Sequence, residues 1–243
     1  MRRIICKNAD EASIVGAAIL AKQIWRNPES VLGLATGSTP VGMYQRLVEM
    51  HKKGELDFSG VRTFNLDEYY PIQKSNDQSY DYFMWKNLFS HINIKRDNVN
   101  IPNGECADPE KECADYEEKI EAAGGVDIQV LGIGLNGHIG FNEPENALKL
   151  KTHLTDLTPS TIEANARFFN SIDEVPGKAL TMGMGTIMKA RAILLLITGE
   201  NKADVTRRIF SGAVSTDVPA SLLNFHPEVT VLLDEAAAYG YMA

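Results

Sequence analysis

The sequence predicts a single-domain α/β fold over residues 1–243: a mostly parallel, open, Rossmann-like sheet with helices on both faces and a lid segment. Three observations carry this expectation. Short apolar runs of strand length alternate with stretches of helical periodicity. The separations between these runs leave room for crossover helices, so the strands are expected to be mostly parallel and covered on both faces. No internal repeat, low-complexity run or composition shift marks a second domain.

Residues 3–6 read as a short strand, and Asn8 with Glu11 three residues later forms a capping box. Ile14, Ala17, Ala18, Ala21, Ile24 and Trp25 then share one helical face, ended near Asn27-Pro28. Residues 31–35 are the next buried strand. They run into Thr36-Gly-Ser-Thr-Pro40, where Thr39 suits an N-cap and Pro40 the first position of a helix through Met50. A third strand, 61–66, closes on Asp67-Glu-Tyr-Tyr-Pro71, followed by a polar stretch and a helix carrying Tyr82, Phe83, Trp85 and Phe89. Asp108-Pro109 opens a helix with Cys113, Tyr116, Ile120 and Ala123 at helical spacing, stopped by Gly124-Gly125. The apolar strand 126–131 leads into Gly132-Ile-Gly-Leu-Asn-Gly-His-Ile-Gly-Phe-Asn-Glu143. Residues 145–177 are polar and weakly periodic, with one helical patch near 160–169, and are expected to form a lid over the site. Strands at 178–183, 192–198 and 229–234 complete the pattern, with helices near 186–189 and 200–211.

A net charge of −8 argues against nucleic acid or an anionic membrane as partner. An anionic ligand would have to be held by a few placed cations and backbone N–H groups. Three cysteines, Cys6, Cys106 and Cys113, form no C-x-x-C pair, and the odd number suits a reduced, cytoplasmic compartment. Lys7, Asp10 and Glu11 interrupt any secretion signal, and the apolar stretch 12–21 is too short to span a bilayer.

Three polar turns fall at strand C-terminal ends: Thr36-Gly37-Ser38-Thr39, Asp67-Glu68 and the stretch 136–143. In a parallel sheet these share one edge and can converge on one ligand. The first could hold an anion on backbone N–H groups and a helix N-terminus, or be a capped turn and nothing more. Asp67, beside a buried strand and Tyr69-Tyr70, suits a general base of raised pKa; a turn aspartate is the plain alternative, and Glu68 the competing carboxylate. His138 lies between Asn136 and Glu143, an amide and a carboxylate able to orient or tune its ring. No second histidine or cysteine set suggests a metal. Gly132, Gly134 and Gly137 spell G-x-G-x-x-G, but Gly140 and Pro144 oppose a helix there, so a dinucleotide is not expected. Gly132 and Gly134 are read as letting the backbone approach a ligand. No G-x-S-x-G nucleophile motif is present.

These residues resemble the glucosamine-6-phosphate deaminases over essentially the whole chain. The resemblance rests on Thr36-Gly-Ser-Thr-Pro40, Thr63-Phe-Asn-Leu-Asp-Glu-Tyr69, the stretch from Gly132 to Pro144, Ala164-Asn-Ala-Arg-Phe-Phe169 and Lys178-Ala-Leu-Thr-Met-Gly-Met-Gly-Thr186. It implies conversion of glucosamine 6-phosphate and water to fructose 6-phosphate and ammonia, in amino sugar catabolism, with no metal or redox cofactor. His138 would open the pyranose ring, supported by Glu143 and Asn136. Asp67 would move a proton between C2 and C1, and ammonia would leave C2. Gly37, Ser38 and Thr39, with Arg167 and Lys202, would hold the phosphate, and Thr36 belongs to the same loop. Two departures matter. Many members carry Asp where this chain has Asn136, so Glu143 is left to supply the negative charge. His153 and Thr155 stand where activated hexameric members have a basic pair. Neither activation by N-acetylglucosamine 6-phosphate nor a hexamer is therefore expected, but a monomer or small homo-oligomer. The rival readings are a 6-phosphogluconolactonase-like hydrolase, which Asp67-Glu-Tyr and Phe141-Asn-Glu-Pro144 disfavour, and a non-catalytic sugar-phosphate sensor.

Overall fold

The sheet order reverses at its centre, and that reversal positions everything else. A computed structural model describes residues 1–169 and 171–242. In chain order these form β1 (Arg2–Cys6), α1 (Ala9–Arg26), β2 (Val31–Leu34), α2 (Val41–Lys52), β3 (Arg62–Asn65), β4 (Asp67–Tyr70), α3 (Tyr80–Asn87), β5 (Val99–Asn100) and α4 (Pro109–Ala122). There follow β6 (Ile128–Leu131), β7 (His153–Asp156), α5 (Pro159–Asn165), β8 (Lys178–Thr181), α6 (Met184–Met188), β9 (Ala192–Ile197), α7 (Ala203–Ile209), β10 (Val229–Asp234) and α8 (Glu235–Met242), with 3-10 turns between some of them.

Seven strands form one sheet in the order β1-β10-β9-β6-β2-β3-β5, with every neighbouring pair parallel. From β2 the chain steps outward to β3 and β5. It then returns to β6 on the other flank of β2 and steps away through β9 and β10. The carboxyl ends of β2 and β6 thus border the crevice where open α/β sheets bind ligands. All four residues of β2 and of β6 are buried, so both faces are covered. This is what continuous apolar runs in parallel strands require. Leu32, Leu34, Val130, Leu194, Leu195, Val231 and Leu232 fill this core, each contributing roughly 1.5–3 kcal/mol by burial.

The remaining strands add a second sheet to the mostly parallel one that was expected. β4, β8 and β7 make a separate antiparallel sheet with β8 in the middle. Asp67-Glu68 therefore lies in a strand, not a turn, one residue after β3. The strand expected at 178–183 belongs to this small sheet. β7 arises inside the expected lid. A four-residue strand such as His-Leu-Thr-Asp, paired to residues far away in sequence, leaves no readable alternation. Asn170, also within the expected lid, lies outside the described residues. The front of that segment is fastened to the body. Lys149 O and Leu150 O accept the Met184 and Thr186 N–H groups, both at 2.9 Å, and buried Glu117 accepts the Thr152 N–H at 2.7 Å and its hydroxyl at 2.6 Å.

Two helix expectations also shift. The Asn8 side chain caps α1 by accepting the Glu11 N–H, while Glu11 accepts from Lys7, one residue before the expected partner. The buried face of α1 is Ala12, Ser13, Gly16, Ala17, Leu20, Ala21 and Ile24; Ile14 and Trp25 are 48% and 58% exposed. Small residues win because α2 packs closely: a Cβ on Gly16 would lie 2.9 Å from Met43 Sδ. Trp25 instead donates to Glu55 O at 2.9 Å. α2 begins at Val41 with Pro40 as N-cap and no side-chain cap bond, so Thr39 does not cap it. Helix α8 and the 3-10 turn Pro219–Phe225 were not expected. Among the described residues no helix is long and apolar enough to cross a membrane.

Candidate active site

The loops leaving β3, β2, β6 and β9 lie side by side along the carboxyl edge of the sheet. The exit of β2 is pinned by buried Tyr44, whose hydroxyl donates to Ala35 O at 2.6 Å. Thr36, Gly37 and Thr39 are then half-buried and Ser38 exposed. Nothing lies within 4 Å of where a Cβ on Gly37 would sit. This open loop precedes the N-terminus of α2, whose free N–H groups favour an anion.

After β6 the chain makes a tight turn, with the Gly134 N–H donating to His138 O at 3.0 Å and the Gly137 N–H to Gly134 O at 3.1 Å. A Cβ on Gly134 would lie 2.4 Å from both Cε1 and Nε2 of His138. The face of Gly134 is thus taken by the imidazole, where the sequence reading assigned it to the ligand. Gly132 does have open space beside it.

Glu143 collects three donors. Its Oε2 accepts from His138 Nδ1 at 3.1 Å and from Asn136 Nδ2 at 2.7 Å; its Oε1 accepts from Thr161 Oγ1 at 2.5 Å. Burial would raise its carboxyl, but the bond and charge of His138, with the bonds from Thr161 and Asn136, outweigh it and hold the group at about 2. A carboxylate facing Nδ1 selects the tautomer that carries its proton there, leaving Nε2 as the acceptor. The His138 side chain remains 23% exposed. Asn136 makes no hydrogen bond to the ring. It accepts the His138 backbone N–H at 3.1 Å and steers the imidazole only through Glu143.

β4 brings Asp67 to the same loop. It pairs with Thr181 of β8, whose hydroxyl accepts the Phe141 N–H at 3.1 Å. Asn142 ties the loop down further, donating to Ile139 O and Met182 O, each at 2.8 Å. A Cβ on Gly140 would lie 3.3 Å from Asp67 Oδ2 and 2.9 Å from Thr181 Oγ1, so only glycine lets these segments meet. Burial, and after it the charge of Glu68, pushes Asp67 up to about 8, with no hydrogen bond opposing the shift. Glu68 is spent differently. It accepts the N–H groups of Tyr69, Tyr80 and Asp81, the last two opening α3, and burial still raises it to about 7. Asp67, not Glu68, is therefore the carboxylate left without a hydrogen bond. Tyr69 lies with its ring centroid 4.8–5.8 Å from those of Tyr80, Phe141 and Phe169, tilted against the first two and edge-on to the third, in an aromatic wall on this side.

Of the two expected cations, Lys202 meets the loop. Lys202, at the turn after β9, donates to Ile133 O at 2.7 Å; burial lowers its pKa, and the nearby charge of Arg167 lowers it further. Arg167 sits exposed in the 3-10 turn after α5. Thr161, Thr181 and Asn142 were not singled out from sequence. Thr158-Pro159 does mark the start of α5, but nothing in the chain signals that Thr161 reaches Glu143, eighteen positions away.

This arrangement is that of an α/β protein whose polar side chains gather at the sheet's switch point. Residues 9–232 match the model of the glucosamine-6-phosphate isomerase/6-phosphogluconolactonase family, and the chain belongs to that family. Within it the chain is 56% identical over 238 residues to glucosamine-6-phosphate deaminase of Thermoanaerobacter pseudethanolicus, covering 98% of this chain and 94% of that one. It is likewise 56% identical over 238 residues to the Clostridium perfringens (strain 13 / Type A) enzyme of that name, covering 98% of each. The solved structure of a monomeric glucosamine-6-phosphate deaminase matches with a TM-score of 0.97 at 46% identity, over 99% of this chain and 100% of that one. A 6-phosphogluconolactonase from Trypanosoma cruzi shares the fold, with a TM-score of 0.82 at 21% identity over 100% and 97% of the two chains.

Proposed function

We propose that this protein is a glucosamine-6-phosphate deaminase, converting glucosamine 6-phosphate and water to fructose 6-phosphate and ammonia in amino sugar catabolism. The observation that carries this reading is the pairing of two proton-transfer groups across one glycine-rich loop: unbonded, buried Asp67 and the His138–Glu143 pair. A lactonase needs only to hydrolyse an ester, whereas ring opening followed by C2-to-C1 proton transfer needs both.

The phosphate is held by the Gly37-Ser38-Thr39 loop at the α2 N-terminus, with Thr36 bracing the loop and Arg167 and Lys202 supplying charge. His138 takes the C1 hydroxyl proton at Nε2 and returns a proton to the ring oxygen as the C1–O5 bond breaks. Glu143 stabilises the passing imidazolium, and Asn136 holds Glu143. Asp67, ionised beside the C2 ammonium of the sugar, removes the C2 proton; the electron pair moves into a C1–C2 double bond as the C1 carbonyl π pair shifts onto O1, which takes a proton released by the ammonium. Return of the proton at C1 gives the C2 imine. Water adds at C2, ammonia leaves, and the ketose phosphate remains. No electrons are gained or lost overall, so the reaction calls for no redox cofactor. The rest of the reading is a cytoplasmic monomer or small homo-oligomer, with α5 covering the bound sugar.

A coupled assay offering glucosamine 6-phosphate and 6-phosphogluconolactone in parallel tests this reading. Ammonia released one-for-one with fructose 6-phosphate is expected; hydrolysis of the lactone alone, or binding without turnover, overturns it.

A further inference from the structure

We propose that Thr161 is a positioning residue that latches helix α5 to the ring-opening pair, so that His138 is held for catalysis only while α5 lies over the site. The inference rests on the reading of His138 and Glu143 given above. Two of the three donors to Glu143 come from its own loop, Asn136 and His138. The third crosses from α5, and it alone occupies Oε1. The bond has a fixed direction. Thr158 caps α5 by accepting the Thr161 N–H at 3.3 Å, and its hydroxyl donates to Thr161 Oγ1 at 3.1 Å. That leaves the Thr161 hydroxyl proton for the carboxylate.

The rest of the excursion needs no such tie. Residues 149–152 are bound to Glu117, Met184 and Thr186, and β7 is paired along β8. α5 also meets the body through Ile162, packed on the cluster of Tyr69, Ile72, Phe141, Leu157 and Ala179. Apolar packing of that kind sets no orientation for a carboxylate. The Thr161 bond does: with Oε1 held, Oε2 is aimed at Nδ1 and the imidazole stays on its Gly134 platform. With α5 withdrawn, Oε1 loses its partner, the carboxylate can turn, and the ring is no longer fixed. Closure of α5 and readiness of the ring-opening pair thereby become one event.

The test compares steady-state kinetics of Thr161→Val and Thr161→Ser with the parent on glucosamine 6-phosphate. The open-chain alditol glucosaminitol 6-phosphate, which has no ring to open, serves as a competitive probe. Valine keeps the shape of Thr161 and removes the donor. It is expected to lower kcat about tenfold, the effect of one lost charge-assisted hydrogen bond. KM and the probe's inhibition constant are expected to stay within about twofold, and serine to restore most of kcat. Parental kcat in the valine variant overturns the proposal. So does equal loss in the serine variant, or a loss confined to KM and the probe, which would make α5 a cover and no more. Thr161→Ala takes the place of valine where that variant does not fold. A parent protein that releases no ammonia removes the deaminase reading, and this inference with it; that result is visible before any variant is compared.

Discussion

Burial of Asp67 without a hydrogen bond to its carboxylate makes ionisation costly, and in the proposed mechanism that cost is what suits it to act as a base. Two consequences separate catalysis from stability. Asp67→Asn is expected to cut turnover by ~10²–10⁴-fold, since the C2 proton then has no base. The same change is expected to stabilise the fold. In the parent, the unfolded carboxyl sheds its proton near 3.8 and the folded one near 8, so stability falls as pH rises between those values. The asparagine variant escapes that loss. Its melting temperature should exceed the parent's by a margin that widens from pH 4 to pH 8. Thermal scans across that pH range check it, and equal melting temperatures throughout would contradict the account. Glu143 has the opposite sign: its carboxyl is held at about 2, so its contribution persists at neutral pH and fades only in acid. For Lys202→Ala the expected outcome is weaker phosphosugar binding by ~1.5–3 kcal/mol, read in KM. An unchanged KM would leave Lys202 as a brace for the Ile133 carbonyl. Asp67, His138 and Glu143 were legible at this scale because their residue types sit in a short polar stretch beside strands. Thr161 and Thr181 were not, because a threonine hydroxyl has no signature until folding places a carboxylate or an N–H against it.

At the scale of elements, the small β4-β8-β7 sheet does the assembling. It carries Asp67 one residue past β3 and sets it against Thr181, which holds the glycine-rich loop. Glu68 then anchors α3 behind it with three accepted N–H bonds. Glu68→Gln would put an NH₂ group among these donors, so a stability loss of ~1–3 kcal/mol is expected in denaturant titration. Removing the charge of Glu68 also lowers the Asp67 pKa, so the acid limb of kcat/KM should move to lower pH. A limb that moves up, or not at all, would contradict that coupling. The turn around His138 makes a further demand: a Cβ at Gly134 would strike the imidazole at 2.4 Å. Gly134→Ala is accordingly expected to lower kcat far more than it lowers thermal stability. The long parallel strands were legible as apolar runs because burial on both faces leaves nothing else to read. β4 and β7 were not, since strands of four mostly polar residues pair with partners far along the chain. The α1 stripe was misjudged for a related reason. Helical periodicity locates apolar residues, but close packing on α2 selects the small ones, and Trp25 is left outside.

For the whole molecule, the reversal of strand order between β2 and β6 explains how a chain of net charge −8 can hold a phosphosugar. The overall field opposes an anion, so in the proposed reading binding is local, at a helix N-terminus and a pair of cations. The loops that supply them are neighbours only because four strands end along one edge. The alternation of strands and helices made that edge foreseeable; the antiparallel sheet that presents Asp67 to it was not. The central claim is that one base, Asp67, moves the proton between C2 and C1 within this crevice. Turnover of glucosamine 6-phosphate in deuterium oxide, with the product read by proton NMR, tests it most directly. A single base on one side of the sugar predicts that deuterium entering C1 of fructose 6-phosphate is confined to one of its two hydrogens, with product formation nearly lost in Asp67→Asn. Deuterium at both C1 hydrogens, or ammonia release that leaves the sugar an aldose, would contradict it.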